Sequence, residues 1–152
     1  MNHIVKIKKG DTIQIEIEEE VLFDFGSGPV PAHRHQNGGG WVANTALVAE
    51  TAYVGRNARV FGNACVYGDA YVFGNACVYG DAHVFGNAHV YDDARVYEYA
   101  RVYGDACVCG YACVYEGALV YGDARVFENA HVYGNARVYG DARVSGHAWA
   151  TK

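Results

Sequence analysis

The sequence predicts an all-β fold in which the chain coils as a solenoid of short strands, and three observations predict it. Valine occupies every sixth position from Val42 to Val144, eighteen times without a gap. Alanine also recurs every six residues, from Ala46 to Ala148, and each alanine but the last lies two residues before a valine of the series. Glycine followed by Asn or Asp separates most of these units. A helix is excluded because a 3.6-residue repeat would spread Ala and Val around the whole cylinder.

Each six-residue unit is one strand and one corner. In the unit Ala64–Asp69, alternation places Ala64 and Val66 on one face of the strand and Cys65 and Tyr67 on the other. The glycine and the residue after it tolerate left-handed backbone, so they supply the corner. We therefore predict a narrow interior of Ala and Val, with the variable residue and the aromatic residue facing outward.

The repeat resembles the hexapeptide-repeat left-handed parallel β-helix family over residues 42–150. The resemblance implies a left-handed triangular solenoid in which three hexads make one turn, residues 18 apart stack, and about six coils form. Trimeric acyltransferases and γ-class carbonic anhydrases belong to that family. The near-identical tracts Phe61–Val72 and Phe73–Val84, with the opening motif His-Arg-His-x-Asn-Gly-Gly-Gly-Trp-Val, look more like small hexapeptide-repeat proteins of bacteria, phages and prophages.

Residues 1–41 lie outside the repeat. His3–Lys8 and Thr12–Glu18 alternate apolar and polar residues around Lys9–Asp11, which predicts a β-hairpin. An apolar patch at Val21–Phe25 follows, and Gly26–Pro29 ends it. Because the first turn of a solenoid needs a cover, we predict that residues 1–41 form an N-terminal β cap with a connecting loop, and residues 42–150 the β-helix.

Aromatic residues 18 apart should form columns on the outside of the solenoid. One such column comprises Tyr67, Phe85, Tyr103, Tyr121 and Tyr139. The columns either stabilise the coil by stacking or give each face an apolar strip that a partner covers. We expect a homo-oligomer, with a trimer favoured and an end-to-end dimer through Trp149 as the alternative.

Charge, hydropathy and cysteine placement restrict the partners and the compartment. A net charge of −5 makes nucleic acid an unlikely partner. The chain has no apolar run of about 18 residues, so we expect no membrane span. The start Met1–Ile4 does not resemble a signal peptide, and none of the five cysteines lies at disulfide distance from another in the predicted coil. These features predict a cytoplasmic protein with free thiols.

The densest polar cluster outside the repeat precedes the first hexad. Glycine amides beside an arginine and two histidines have the chemistry of an anion site, and the same stretch also reads as a plain loop from cap to coil. His33 and His35 alternatively share a metal ion. The predicted ligand-binding residues, for a small anion of the nucleotide type, are His33, Arg34, His35, Asn37, Gly38, Gly39, Gly40 and Trp41.

Three His–Cys pairs fall 18 residues apart and should lie on adjacent coils: Cys65/His83, His89/Cys107 and Cys113/His131. With Cys109 nearby, His89 and Cys107 form a candidate metal-ligand trio. The alternative is that these positions are permissive outward sites, which arginine occupies in other units. Glu98 and Glu116 should stack as like charges, either solvated or around a cation.

Function follows less directly from these patterns than fold does. The repeat has no inserted catalytic loop, so we assign no catalytic residue and expect no cofactor. We predict a non-enzymatic oligomeric β-solenoid that acts as a scaffold or binding module. The alternatives are a protein that binds or sequesters a small anionic ligand, and an acyltransferase of the hexapeptide-repeat type, which is the activity we expect if the protein is an enzyme.

Overall fold

A computed structural model of the chain describes residues 2–151, with side chains described for residues 8, 10–13 and 19–151. All regular structure within this range is β. The five longer strands are β1 Asn2–Lys9, β2 Thr12–Glu19, β3 Leu22–Asp24, β4 Pro29–Arg34 and β5 Trp41–Ala43. Among the described residues there is no helix that could cross a membrane.

The repeat supplies eighteen strands of two residues each, one for every hexad. They are β6 Leu47–Val48, β7 Tyr53–Val54, β8 Arg59–Val60, β9 Cys65–Val66, β10 Tyr71–Val72, β11 Cys77–Val78, β12 His83–Val84, β13 His89–Val90, β14 Arg95–Val96, β15 Arg101–Val102, β16 Cys107–Val108, β17 Cys113–Val114, β18 Leu119–Val120, β19 Arg125–Val126, β20 His131–Val132, β21 Arg137–Val138, β22 Arg143–Val144 and β23 Trp149–Ala150.

These strands stack into three parallel sheets that form a solenoid of about six turns. The long sheet runs β3-β4-β5-β8-β11-β14-β17-β20-β23, and β3 and β4 join it in antiparallel orientation. The second sheet contains β6, β9, β12, β15, β18 and β21, and the third contains β7, β10, β13, β16, β19 and β22. Every third strand pairs, so residues 18 apart are neighbours as predicted. The left hand of the coil stays a prediction.

The core consists of the alanine and valine series. From Ala52 to Val132 every residue of both series is completely buried, and the predicted inward assignment is confirmed. Each buried valine contributes about 2 kcal/mol through the hydrophobic effect. The last inward positions have no further turn above them, so Ala142 and Ala148 are exposed and Val144 is half-buried.

The corners require left-handed backbone and a close approach between turns. At Gly62, φ is +66° and a Cβ atom would lie 2.9 Å from the backbone nitrogen of Gly80. Four turns place a carboxyl side chain at the same left-handed position, with φ from 55° to 60°, and these are Asp92, Glu98, Glu116 and Glu128. The carboxylate of Glu98 accepts a hydrogen bond from the Glu116 amide at 2.9 Å, a bond that glycine cannot make. That contact stabilises the stacked arrangement of the two glutamates that the sequence predicts.

The outward aromatic residues stack in columns. The ring centroids of Tyr67 and Phe85 lie 4.8 Å apart with nearly parallel rings, and the predicted column continues through Tyr103 and Tyr121 to Tyr139.

The residues before the repeat form two strand pairs. β1 pairs with β2 in antiparallel register around Gly10 and Asp11, and β3 pairs with β4. The side chains that would show the predicted alternation within the hairpin are mostly outside the set that the structure describes.

Candidate functional site

The predicted ligand-binding segment lies where the long sheet reverses direction. His33 and Arg34 end β4, and the chain turns through 35–40 into β5, which begins at Trp41. Arg34 is directly opposite Trp41 in the antiparallel pair. One interpretation of the sequence was a plain loop over this whole stretch, and the structure instead makes its two ends parts of neighbouring strands.

Most polar groups of the turn are engaged within the chain. The His35 side chain is buried, and its Nε2 donates to the carbonyl oxygen of Ala52 at 2.9 Å. The amides of Gly39 and Gly40 donate to the carbonyl oxygens of His35 and Val54. Asn37 Nδ2 also donates to Ala52 at 3.2 Å. The turn therefore satisfies the open edge of β7, and two of its three glycine amides are occupied.

Close packing explains the glycine at position 38. A Cβ atom on Gly38 would lie 2.3 Å from the carbonyl oxygen of Val54, and φ there is +108°. No side chain fits between the turn and the first coil at that distance. Outside the turn, His33 donates from Nδ1 to Oδ1 of Asn44 at 2.7 Å.

Arg34 is held in a fixed orientation beside Trp41. Its guanidinium carbon lies 4.2 Å from the centre of the indole ring, and its Nη1 donates to the carbonyl oxygens of Gly39 and Arg56 at 3.0 and 3.2 Å. The indole also stacks on Phe23, with ring centroids 4.4 Å apart. Three N–H groups of Arg34 keep no partner from these contacts.

A groove of about 460 Å³ opens next to this arginine on the outer surface of the long sheet. We call it the arginine groove, because four guanidinium groups line it and only one carboxylate does. Its lining residues are Phe23, Arg34, Trp41, Arg56, Asn57, Arg59, Asn75, Cys77, Asp93 and Arg95. The carboxylate of Asp93 accepts a hydrogen bond from Nδ2 of Asn75 at 3.2 Å.

The register of the sheet fixes the order of side chains along the groove. Arg34 is next to Trp41, Trp41 is next to Arg59, Arg59 is next to Cys77, and Cys77 is next to Arg95. The four arginines are exposed, whereas Cys77 is half-buried between Arg59 and Arg95. Positive charge is thus concentrated locally in the groove, although the net charge of the whole chain is −5.

The thiol in the groove is not activated. Burial raises the pKa of Cys77, and this effect outweighs the lowering by Arg59 and Arg95. A protonated thiol is a poor nucleophile. The arrangement can bind an anion, and it lacks the activated nucleophile that group transfer through Cys77 requires.

The predicted metal trio is brought together only in part. His89 and Cys107 are register neighbours on β13 and β16, as predicted. No group of three or more His, Cys, Asp or Glu side chains among the described residues is arranged to hold a metal ion. Cys109 contacts Tyr91, and Cys107 hydrogen-bonds the carbonyl oxygen of Asp105 at 3.9 Å.

The two other His–Cys pairs are also register neighbours. Burial raises the pKa of Cys113, the thiol beside His131. All five cysteines are free.

Sequence reasoning missed three of the four groove arginines, namely Arg56, Arg59 and Arg95. Arg59 and Arg95 occupy the variable outward position of the repeat, which arginine fills on all three sheets, so neither was distinguishable by pattern. The available signal was their spacing of 36 residues, which is two turns of 18.

Comparison with known families agrees with this architecture. The model of the YdcK beta-solenoid repeat matches residues 88–104, 118–134, 130–146 and 136–150, about a third of the chain. The chain is a repeat β-solenoid similar to that family. No curated protein and no solved structure gave a match. The residues that line the arginine groove precede the matched segments, except for Asp93 and Arg95.

Proposed function

We propose that this protein is a non-enzymatic β-solenoid binding module that holds an anionic ligand in the arginine groove. The observation that carries the proposal is the charge of the groove lining, in which Arg34, Arg56, Arg59 and Arg95 face a single carboxylate, Asp93. Arginine is the residue best suited to carboxylate, sulfate and phosphate groups, because its planar fork donates two parallel hydrogen bonds.

Preorganisation supports this function. The guanidinium of Arg34 is oriented by the indole of Trp41 and by two backbone carbonyl groups before any ligand arrives. An arginine already fixed in place loses less side-chain entropy when it binds, which favours affinity. Arg59 and Arg95 extend from strands of the sheet rather than from a loop, so their separation is set by the backbone.

The protein's own carboxylates compete only weakly with a ligand for the groove arginines. Among the residues with described side chains, the only carboxylate lining the groove is that of Asp93, which is half-buried and bonded to Asn75. An external anion therefore meets positive charges that the chain has not neutralised. The same surface offers no activated nucleophile, since the pKa of Cys77 is raised by burial.

Titration calorimetry with pyrophosphate at low and moderate salt tests this function. We expect binding to the native protein that weakens as salt rises, because exposed charges are screened. Arg59→Gln and Arg95→Gln together should reduce affinity at least about tenfold. Arg101→Gln with Arg137→Gln is the matched control, since these arginines have the same two-strand separation on the second sheet.

The control pair should leave affinity unchanged. Equal losses in both double variants would show that binding follows overall charge rather than the groove. Absence of pyrophosphate binding at low salt would contradict the proposal.

Exposed aromatic residues favour a second function, that of a homo-oligomeric scaffold. The exposed fractions of Tyr99, Tyr111 and Trp149 are 68%, 65% and 63%, far more than a packed aromatic side chain retains. Self-association would remove this apolar surface from water. A trimer through the sheet faces is our first expectation, as cyclic symmetry suits parallel solenoids.

Light scattering measures the mass of the particle directly. A particle of 16.5 kDa at micromolar concentration would contradict the scaffold function. Loss of assembly on Trp149→Ala would favour the end-to-end dimer over the trimer.

A further inference from the structure

The arginines on the long sheet form a row with a regular interval. Arg34 lies on β4, Arg59 on β8 and Arg95 on β14, and in the strand order β4-β5-β8-β11-β14 each is two strands from the next. At about 4.8 Å between strands, the backbone positions of these arginines are roughly 9.6 Å apart and span about 19 Å along the solenoid axis. Trp41 and Cys77 occupy the intervening strands.

Each member of the row keeps donors for a ligand. Arg34 uses both hydrogens of Nη1 within the chain, which leaves Nη2 and Nε. The guanidinium of Arg59 lies 5.7 Å from the centre of the Phe23 ring, a contact that uses none of its N–H groups. Arg95 is exposed next to the half-buried Cys77.

A column of aromatic residues runs beside the row. Phe61, Tyr79 and Tyr97 follow the strands β8, β11 and β14, and their rings stack face to face at 4.7 and 5.0 Å. The ring faces therefore cover one another, and ring edges and hydroxyl groups are what remains for a ligand. Burial raises the pKa of Tyr79 and of Tyr97, so both hydroxyls stay protonated donors at neutral pH.

The interval between the arginines does not match the phosphate spacing of a nucleic-acid strand. Successive phosphates of one duplex strand rise by about 3.4 Å along the helix axis, so in an axial alignment roughly two of every three would meet no arginine of the row. Single-stranded binding depends on open aromatic faces, and these rings are stacked on each other.

We propose that the ligand is a linear acidic polysaccharide, with one carboxylate or sulfate per disaccharide, lying along the arginine row. Alternating sugars repeat their charge at an interval close to two strand spacings, and their hydroxyl groups suit the tyrosine edge. The proposal rests on the anion-binding function of the groove, and it names the shape and charge spacing of the ligand. The three arginines then engage three successive anionic groups.

Calorimetry with hyaluronan oligosaccharides of two, four, six and eight sugars tests the spacing. We expect affinity to rise about tenfold for each added uronate up to the hexasaccharide, which spans the three arginines, and to change little for the octasaccharide. Chondroitin sulfate fragments of the same lengths identify the preferred group, because they add a sulfate to the same backbone interval.

The most informative variant is Arg95→Gln, because it removes the last arginine of the row. It should reduce hexasaccharide affinity about tenfold to the level of the tetrasaccharide, and leave tetrasaccharide affinity nearly unchanged. Arg101→Gln on the second sheet should alter neither. Circular dichroism melting of both variants establishes that the fold is intact.

The outcomes separate the two proposals. Binding of pyrophosphate together with oligosaccharide affinity independent of length would overturn the polysaccharide and leave the groove as a compact anion site. Tighter binding of oligothymidylate than of the hexasaccharide would overturn it in favour of a nucleic acid. Failure of every anion, pyrophosphate included, would overturn both.

Discussion

The middle of the solenoid and its N-terminal junction solve the same problem in different ways. In the middle, each strand finds its partners on the turns before and after it, and the valine and alanine positions are fully buried without exception. At the junction there is no preceding turn. The segment around His35 covers the edge at β7 there with the buried imidazole of His35, the amide of Gly40 and the side chain of Asn37.

This difference explains where function can develop. The repeat constrains its inward residues, its corners and its aromatic columns, whereas the variable outward position before each valine changes without cost to the core. The junction adds an antiparallel strand to the long sheet, and that strand brings Arg34 and Trp41 into line with outward residues of the repeat. The arginine groove forms at the one place where the two kinds of structure meet.

The largest effect should come from a charge in the middle of the core. Val102 has no exposed surface, so Val102→Asp would bury a carboxylate with no partner, and we expect loss of cooperative folding. Val102→Ala is the control and should cost about 2–3 kcal/mol of unfolding free energy. Chemical denaturation followed by circular dichroism measures both. A soluble Val102→Asp variant with a cooperative transition would show that valine does not face inward.

At the junction, the strongest effect should come from Gly38. Alanine there combines a backbone at φ +108° with a Cβ atom 2.3 Å from a carbonyl oxygen, and we expect a cost of at least about 3 kcal/mol. Gly39→Ala is the matched control, because φ is +76° but no atom lies within 4 Å of its Cβ position. It should cost about 1–2 kcal/mol. Equal melting temperatures for the two variants would refute the close packing of the turn against Val54.

Corner carboxylates should contribute less. Glu98→Ala keeps the left-handed backbone and removes the acceptor of the Glu116 amide, so we expect a loss of about 1 kcal/mol. Glu98→Gly removes the same acceptor but relieves the backbone strain, and the two effects should nearly cancel. Denaturant midpoints of the two variants distinguish them. If alanine proved no worse than glycine, the carboxylate would not stabilise the corner by this bond.

The smallest effect is expected where Cys109 interrupts an aromatic column. A hydrogen bond with the Cys109 thiol, together with burial, raises the pKa of Tyr91 to about 12. Because the folded pKa lies above the unfolded value of about 10, this contribution to stability is complete below pH 10 and is lost as pH rises towards 12. The pKa values of Tyr79, Tyr97 and Tyr115 are raised as well, so tyrosinate absorbance during an alkaline titration should show several late components, one of which Tyr91→Phe removes. Cys109→Ala should shift that component to lower pH, and no shift would exclude the thiol as its cause.

Much of the fold was determined by the sequence alone. The six-residue period predicted the inward valines and alanines, because alternation along a strand and left-handed glycine corners repeat in every unit. The 18-residue turn was implied by the resemblance to the hexapeptide-repeat family, and it predicted which outward residues are neighbours, including the aromatic columns and the His–Cys pairs. The hairpin of β1 and β2 was predictable too, since its signals are contiguous in the chain.

The candidate site was decided by tertiary structure. The sequence pointed to Arg34 and Trp41, but through a glycine loop whose amides the fold largely uses for its own first turn. It could not show that residues 29–34 form a strand antiparallel to β5, because that pairing depends on the close packing of Gly38 and Gly40 against Val54. The six-residue period predicts how parallel strands pair from turn to turn, but it does not predict the register of an antiparallel strand. Only the folded chain therefore places Arg34 in one row with Arg59 and Arg95.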